Sequence, residues 1–236
     1  MKTVYNLLYC YSALVVLFVS FLLVGCNSST DSASMKSTYQ QGLRARLAAF
    51  SKAFDALHPS IESELKELAS LAQDKRRDFE YLAEHDEDRS VRNAAIFALA
   101  ESRGKGLVAL FLRTAKDHQE WQRANLSLHG LLDLFREDRM SIAEAQDFAR
   151  TTNELLVKGH SRLSSVLMEC AAALGEMIET DSLGAFLSRR GFWTLEGKRA
   201  ASLLARRGGE RARSYLRTEL ERIKKMEVEL GALVVP

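Results

Sequence analysis

From residue 38 onward, apolar side chains recur at steps of three and four, and charged residues fill the positions between. Tyr39, Leu43, Leu47, Phe50, Phe54 and Leu57 form one such stripe. It predicts an amphipathic helix, because a period of about 3.6 residues returns these positions to one face. Pro59 breaks the pattern and reads as the first turn of the next helix, where a missing N–H costs nothing. Ile61, Leu65, Leu68 and Ala72 resume the stripe, while Glu62, Glu64, Lys66 and Glu67 point elsewhere. Further stripes follow at Trp121, Leu128, Leu131, Leu132 and Phe135, at Val166, Leu167, Cys170, Ala171 and Leu174, and at Leu203 and Leu204. Their antiparallel partners are read at Leu107, Leu110 and Phe111, at Ile142, Ala145, Phe148, Ala149 and Leu155, and at Leu183, Phe186 and Leu187. Glycines 104, 106, 159, 191, 208 and 209 stand between the stripes, where helices stop. The last helix, from about Glu210 to Leu233, is expected to turn Ala212, Tyr215, Leu216, Leu220, Ile223 and Met226 inward as a cap.

No alternation of period two persists, so no sheet is expected. One amphipathic hairpin cannot hide its own apolar stripe, but successive hairpins can cover each other. The predicted class is all-α: a right-handed α-α superhelix, or α-solenoid, of stacked antiparallel helix pairs.

The first 25 residues follow a different rule. Lys2 is the only charged side chain before Asp31, and residues 13–24 are Ala, Leu, Val, Phe and a single Ser. A bilayer span needs ~20 apolar residues, so this core suits a signal-peptide apolar region, with an uncleaved anchor as the alternative. The run ends in Leu23-Val24-Gly25-Cys26, which resembles the lipobox of bacterial lipoproteins. The resemblance implies cleavage after Gly25 and a covalent lipid on Cys26, with no other cofactor. Two or more acyl chains make such attachment persistent. Asn27 stands where an Asp would resemble an inner-membrane retention signal, so the periplasmic face of the outer membrane is the expected address. Residues 1–25 are then the signal peptide, 26–37 the lipidated N-terminus and a flexible tether, 38–85 an N-terminal helical hairpin and 86–236 a repeat array with a C-terminal capping helix. Cys10 leaves with the leader and lipid consumes the Cys26 sulfur, so Cys170 has no partner for an intramolecular disulfide.

Asp86-Glu87-Asp88-Arg89-Ser90-Val91-Arg92-Asn93-Ala94-Ala95 resembles the second-helix consensus of a HEAT repeat, including the form found in bilin-lyase-type proteins. Val91, Ala95, Ala98 and Ser102 would form a close-packing ridge. The resemblance implies that Arg92 reaches back to an acidic turn residue, Asp86 or Asp88. Looser echoes begin at Arg123, Arg162 and Arg199. The spacing of these arginines supports a degenerate array of HEAT-length units.

Without Lys2 the chain carries 32 basic and 31 acidic residues, which gives no reason to expect a nucleic-acid partner. Its five histidines fall in no HxxxH or HExxH pair, and no phosphate-cradling loop is present. No catalytic constellation, metal site or small-molecule substrate is therefore inferred. Between Arg189 and Lys225, however, twelve basic residues face four acidic ones. Arg206, Arg207 and Arg211, with Trp121 and Trp193, are the candidate docking surface; a solvated, salt-bridged face and inter-repeat packing of the indoles are the plain alternatives. The expected function is a membrane-anchored protein-binding scaffold in the cell envelope, meeting another envelope protein or an anionic envelope component. The rivals are a lipoprotein that docks to and regulates an envelope enzyme, and a helical enzyme with a site assembled from distant residues.

Overall fold

The computed structural model describes residues 32–104 and 106–234. Gly25 and Cys26 lie outside the described residues. The chain divides into two units, Met1–Leu43 and Arg44–Pro236. In the first, residues 32–43 are helical, so the segment expected to be a tether is helix from Ser32 onward. The packing described below belongs to the second unit.

Eleven α-helices occupy the described residues: α1 (Ser32–Asp55), α2 (Ile61–Asp74), α3 (Arg76–His85), α4 (Arg89–Ser102), α5 (Val108–Lys116), α6 (Trp121–Arg136), α7 (Ile142–Lys158), α8 (Ser164–Leu174), α9 (Thr180–Arg190), α10 (Leu195–Arg207) and α11 (Gly209–Val234). Helices α3 and α4, α5 and α6, α7 and α8, and α9 and α10 pack as pairs. Between pairs, α2, α4, α6, α8 and α10 pack in succession to form one layer, and α5, α7, α9 and α11 do so in the other. This is the stack of paired helices that the periodicity predicts. Because α3 pairs with α4, the boundary expected at residue 86 cuts through a pair, and the array already includes α2.

The first helix of each pair, α3, α5, α7 and α9, brings one fully buried ring into the interior: Phe79, Phe111, Phe148 and Phe186. Against them lie Ile96 and Leu99 of α4, Leu128, Leu131 and Leu132 of α6, and Leu167 of α8, all essentially without solvent contact. Val91, Ala95, Ala98 and Ser102 are buried as a ridge, as expected. Close approach of helices is secured by glycine: a Cβ on Gly184 of α9 would come within 2.4 Å of the Tyr215 ring of α11.

Some stripe positions are exposed, against the expectation. Leu57 is 83% exposed because α1 ends at Asp55 and Leu57 sits in the following turn with φ of 51°. Ile142, the first residue of α7, is also exposed. In α11, Leu220 faces solvent while its neighbour Glu219 is buried, where it accepts the Phe192 N–H at 2.8 Å.

Helix starts are fixed by side chains that accept the unpaired N–H groups of a first turn. The Asp88 carboxylate accepts the Ser90 amide at 2.8 Å and the Ser90 hydroxyl at 2.7 Å. Ser141 and Glu144 form a reciprocal capping box at α7. The Ser90 hydroxyl and amide hold the Asp88 carboxyl below its ordinary 3.8, and the Ser141 amide and hydroxyl hold Glu144 below its ordinary 4.5. Folded values below the unfolded ones mean stabilisation that is complete above those ordinary values and lost as pH falls through the folded ones. Melting temperature should therefore decline below about pH 4. The pair Asp88→Asn and Glu144→Gln should flatten that decline, and an unchanged acid limb in the double variant would contradict the assignment.

Candidate protein-binding groove

Three helices of the second unit supply the walls of a cleft of about 330 Å³: α1 beyond Arg44, α4 and α6. Each contributes side chains one helical turn apart, which therefore share a face. They are Phe50 and Phe54, Asn93 and Phe97, and Trp121 and Asn125. The phenyl rings form a cluster: Phe54 meets Phe97 edge-on at 5.5 Å, and Phe50 lies 5.9 Å from Phe97 and 6.2 Å from Phe54. Phe54 is 45% exposed because it forms a wall of this cleft, not because the helical period fails.

Opposite these rings stands Trp121, half-buried, with the Arg162 guanidinium 5.2 Å from its ring centroid. Such a contact holds the indole plane by cation–π attraction. Between the walls, the Asn93 Oδ1 is shielded from solvent and has no hydrogen-bond partner. Shielding without a partner is costly for an amide oxygen. Among the described residues, Asp55 is the one ionisable side chain lining the cleft.

The turns beside the groove are tied by alternating charges. Arg44 Nε meets Asp86 Oδ2 at 2.8 Å. Arg92 donates to the carbonyls of Asp86 and Glu87 and, through Nε and Nη2, to both carboxylate oxygens of Glu120 in the next turn. Glu120 makes the Arg92 guanidinium still harder to deprotonate. Arg123, 8% exposed, donates to the Ala83 carbonyl at 3.0 Å and to Asp117 at 2.5 Å. Its Nε lies 3.1 Å from Glu120 Oε2, an ion-pair distance at an angle unsuited to a hydrogen bond. Arg92 therefore reaches its own turn through backbone carbonyls; the carboxylate it grips belongs to the following unit, not to Asp86 or Asp88.

The other arginines at the repeat spacing do different work. Arg162 covers Trp121, and Arg199 is exposed on α10. The expected docking residues do not form one face. Trp193 precedes α10 and Arg206 lies near its end, so a helix of 13 residues, roughly 20 Å long, separates them. Arg207 donates to the carbonyls of Gly175 and Ile178, and Arg211 pairs with Asp181. Arg206 is exposed. A second cleft of about 250 Å³, between α5 and α7, has its charges matched by Arg113 with Glu84, Lys116 with Glu154 and Arg150 with Asp147.

Burial pushes the Cys170 thiol far above its ordinary range, which keeps it protonated and unreactive. Among the described residues, no three His, Cys, Asp or Glu side chains are grouped to hold a metal ion. No described helix is long and apolar enough to cross a membrane. Protein-family models, curated proteins and solved structures give no match to the chain.

If Glu120 joins the two turns, Glu120→Ala should cost about 1–3 kcal/mol, because it leaves Arg123 buried and Arg92 largely enclosed without their shared carboxylate. Arg199→Ala should stay within about 0.5 kcal/mol, as for an exposed side chain. Urea denaturation of both variants measures the difference, and equal losses would remove Glu120 from this role.

Proposed function

We propose that this chain is a bacterial lipoprotein that holds a partner protein in the groove between α1, α4 and α6. The observation that carries the binding half is the groove itself, in which three phenyl rings and Trp121 line one cleft of about 330 Å³. Its walls suit an apolar anchor side chain. Rings already fixed by their neighbours lose little freedom on contact, which favours affinity. The preponderance of rings and amides, with Asp55 as the one ionisable side chain among the described residues of the lining, favours binding over acid–base catalysis.

The anchoring half rests on Leu23-Val24-Gly25-Cys26 at the close of an apolar run. Lipid on Cys26 would keep the groove close to the membrane, and Asn27 at the following position favours the outer membrane's periplasmic face. Confinement to that surface raises the effective concentration for a partner held there too.

A photoreactive residue at Gln122, on the rim, tests both halves in living cells. It should capture a discrete protein in the membrane fraction, whereas the same probe at Arg199 should not. Phe54→Glu should erase the adduct without lowering the melting temperature by more than ~4 °C, since Phe54 is half-exposed. Cys26→Ser should abolish palmitate labelling and weaken capture. An adduct that survives Phe54→Glu would overturn the groove as the binding site, and undiminished palmitate on the Cys26→Ser variant would overturn the anchor.

A further inference from the structure

The turn between α9 and α10 presents large apolar side chains outward and is built so that they stay there. Phe192, Trp193 and Leu195 are 39%, 52% and 60% exposed within four consecutive residues. Gly191 closes α9 through its N–H to the Leu187 carbonyl at 2.7 Å and adopts φ of 70°. The Phe192 N–H is held by the buried Glu219 carboxylate, and Thr194 accepts the Gly197 N–H at 2.9 Å to start α10. A Cβ at Gly197 would lie 1.9 Å from the Gly191 carbonyl oxygen, so the helix start is pressed onto the turn and blocks inward rotation of the backbone. Three separate attachments thus fix the rings toward solvent, an arrangement costly in water and favourable only against an apolar phase.

Around this apolar tip the charge is mainly positive. Arg189 lies in the last turn of α9, Lys198 and Arg199 occupy the first turns of α10, and all three are exposed. Arg222 of α11 lies against Gly191 and donates to the Ser188 carbonyl at 3.0 Å; Lys225 follows one turn later on the same side. Glu196 on α10 and the exposed Glu221, Glu227 and Glu229 on α11 are the acidic side chains close in sequence to these cations, while Glu219 is buried and paired with Arg222.

We infer that this turn docks onto an anionic phospholipid surface, with Phe192, Trp193 and Leu195 entering the interfacial layer and Arg189, Lys198, Arg199 and Lys225 meeting the head groups. Aromatic rings with a polar edge favour the interfacial layer, and basic side chains near an anionic leaflet add attraction that falls off within a Debye length. A bilayer fits better than a protein pocket because the apolar tip is short and the cations spread over three helices rather than converging on one point. This contact is distinct from the aromatic groove and does not depend on lipid at Cys26.

The full-length chain carrying Trp121→Phe keeps Trp193 as its sole tryptophan. It can be incorporated into vesicles of phosphatidylcholine alone or mixed with phosphatidylglycerol, each with brominated acyl chains. In the anionic vesicles Trp193 emission should shift to the blue and be quenched; in the neutral vesicles it should resemble emission in water. Lys198→Glu with Arg199→Glu should return the emission to its aqueous position, with membrane contact weakened roughly fivefold per charge, and high salt should do the same. Aqueous emission in the anionic vesicles, with a native circular dichroism spectrum, would overturn the proposal and assign the turn to a protein partner. Equal quenching in neutral vesicles that withstands charge reversal would overturn the electrostatic part. Neither outcome bears on capture at Gln122.

Discussion

No helix pair in this chain can cover its own apolar face. Phe79, Phe111, Phe148 and Phe186 come from the first helices of successive pairs, and sealing them draws on neighbouring pairs. Full burial of such a ring contributes about 1.5–3 kcal/mol, and replacing one by Ala costs about 3–5 kcal/mol once the cavity is included. Stability is therefore shared between adjacent units. The same demand explains the small residues at contact points: a Cβ on Gly130 of α6 would meet the Phe111 ring at 2.8 Å.

Arginine completes the stack in two ways. In its first part, Arg92 and Arg123 share Glu120, so one carboxylate joins two consecutive turns. Elsewhere guanidinium groups donate to carbonyls of neighbouring segments: Arg76 to Gly106, Arg190 to Ser161, Arg207 to Gly175 and Ile178, and Arg222 to Ser188. Carbonyls near helix ends lack intrahelical donors, and a neighbour's guanidinium supplies one. Much of the positive charge of the C-terminal part is thus structural. What remains outward, around Phe192 and Trp193, differs from the basic cluster that a linear count brings forward.

Helical class and stacking were legible because burial imposes a period that survives sequence divergence. The repeat was less legible through its arginines. Arg92 and Arg123 occupy related charge networks, but Arg162 stacks on Trp121 and Arg199 faces solvent, since an exposed position is free to change its task. The buried phenylalanines mark the repeat more faithfully. Hydropathy also misplaces Glu219, whose burial depends on an N–H from a turn 27 residues away, and Leu220, which yields the inward position to it. The groove was not legible either. Its Phe54, Phe97 and Trp121 belong to three different stripes, and only the arrangement of α1, α4 and α6 brings them together. The leader is the converse case, since its reading rests on the motif at Cys26.

A stack held together between pairs keeps the groove permanently formed, since α4 and α6 cannot separate without exposing rings on both sides. Hydrogen exchange resolved by helix measures that dependence directly. The account predicts the slowest exchange in α4, α6 and α8, faster exchange in the second half of α11, and joint acceleration of α4 and α6 when Glu120 is replaced. Independent opening of each pair, with α4 exchanging as fast as the end of α11, would contradict it.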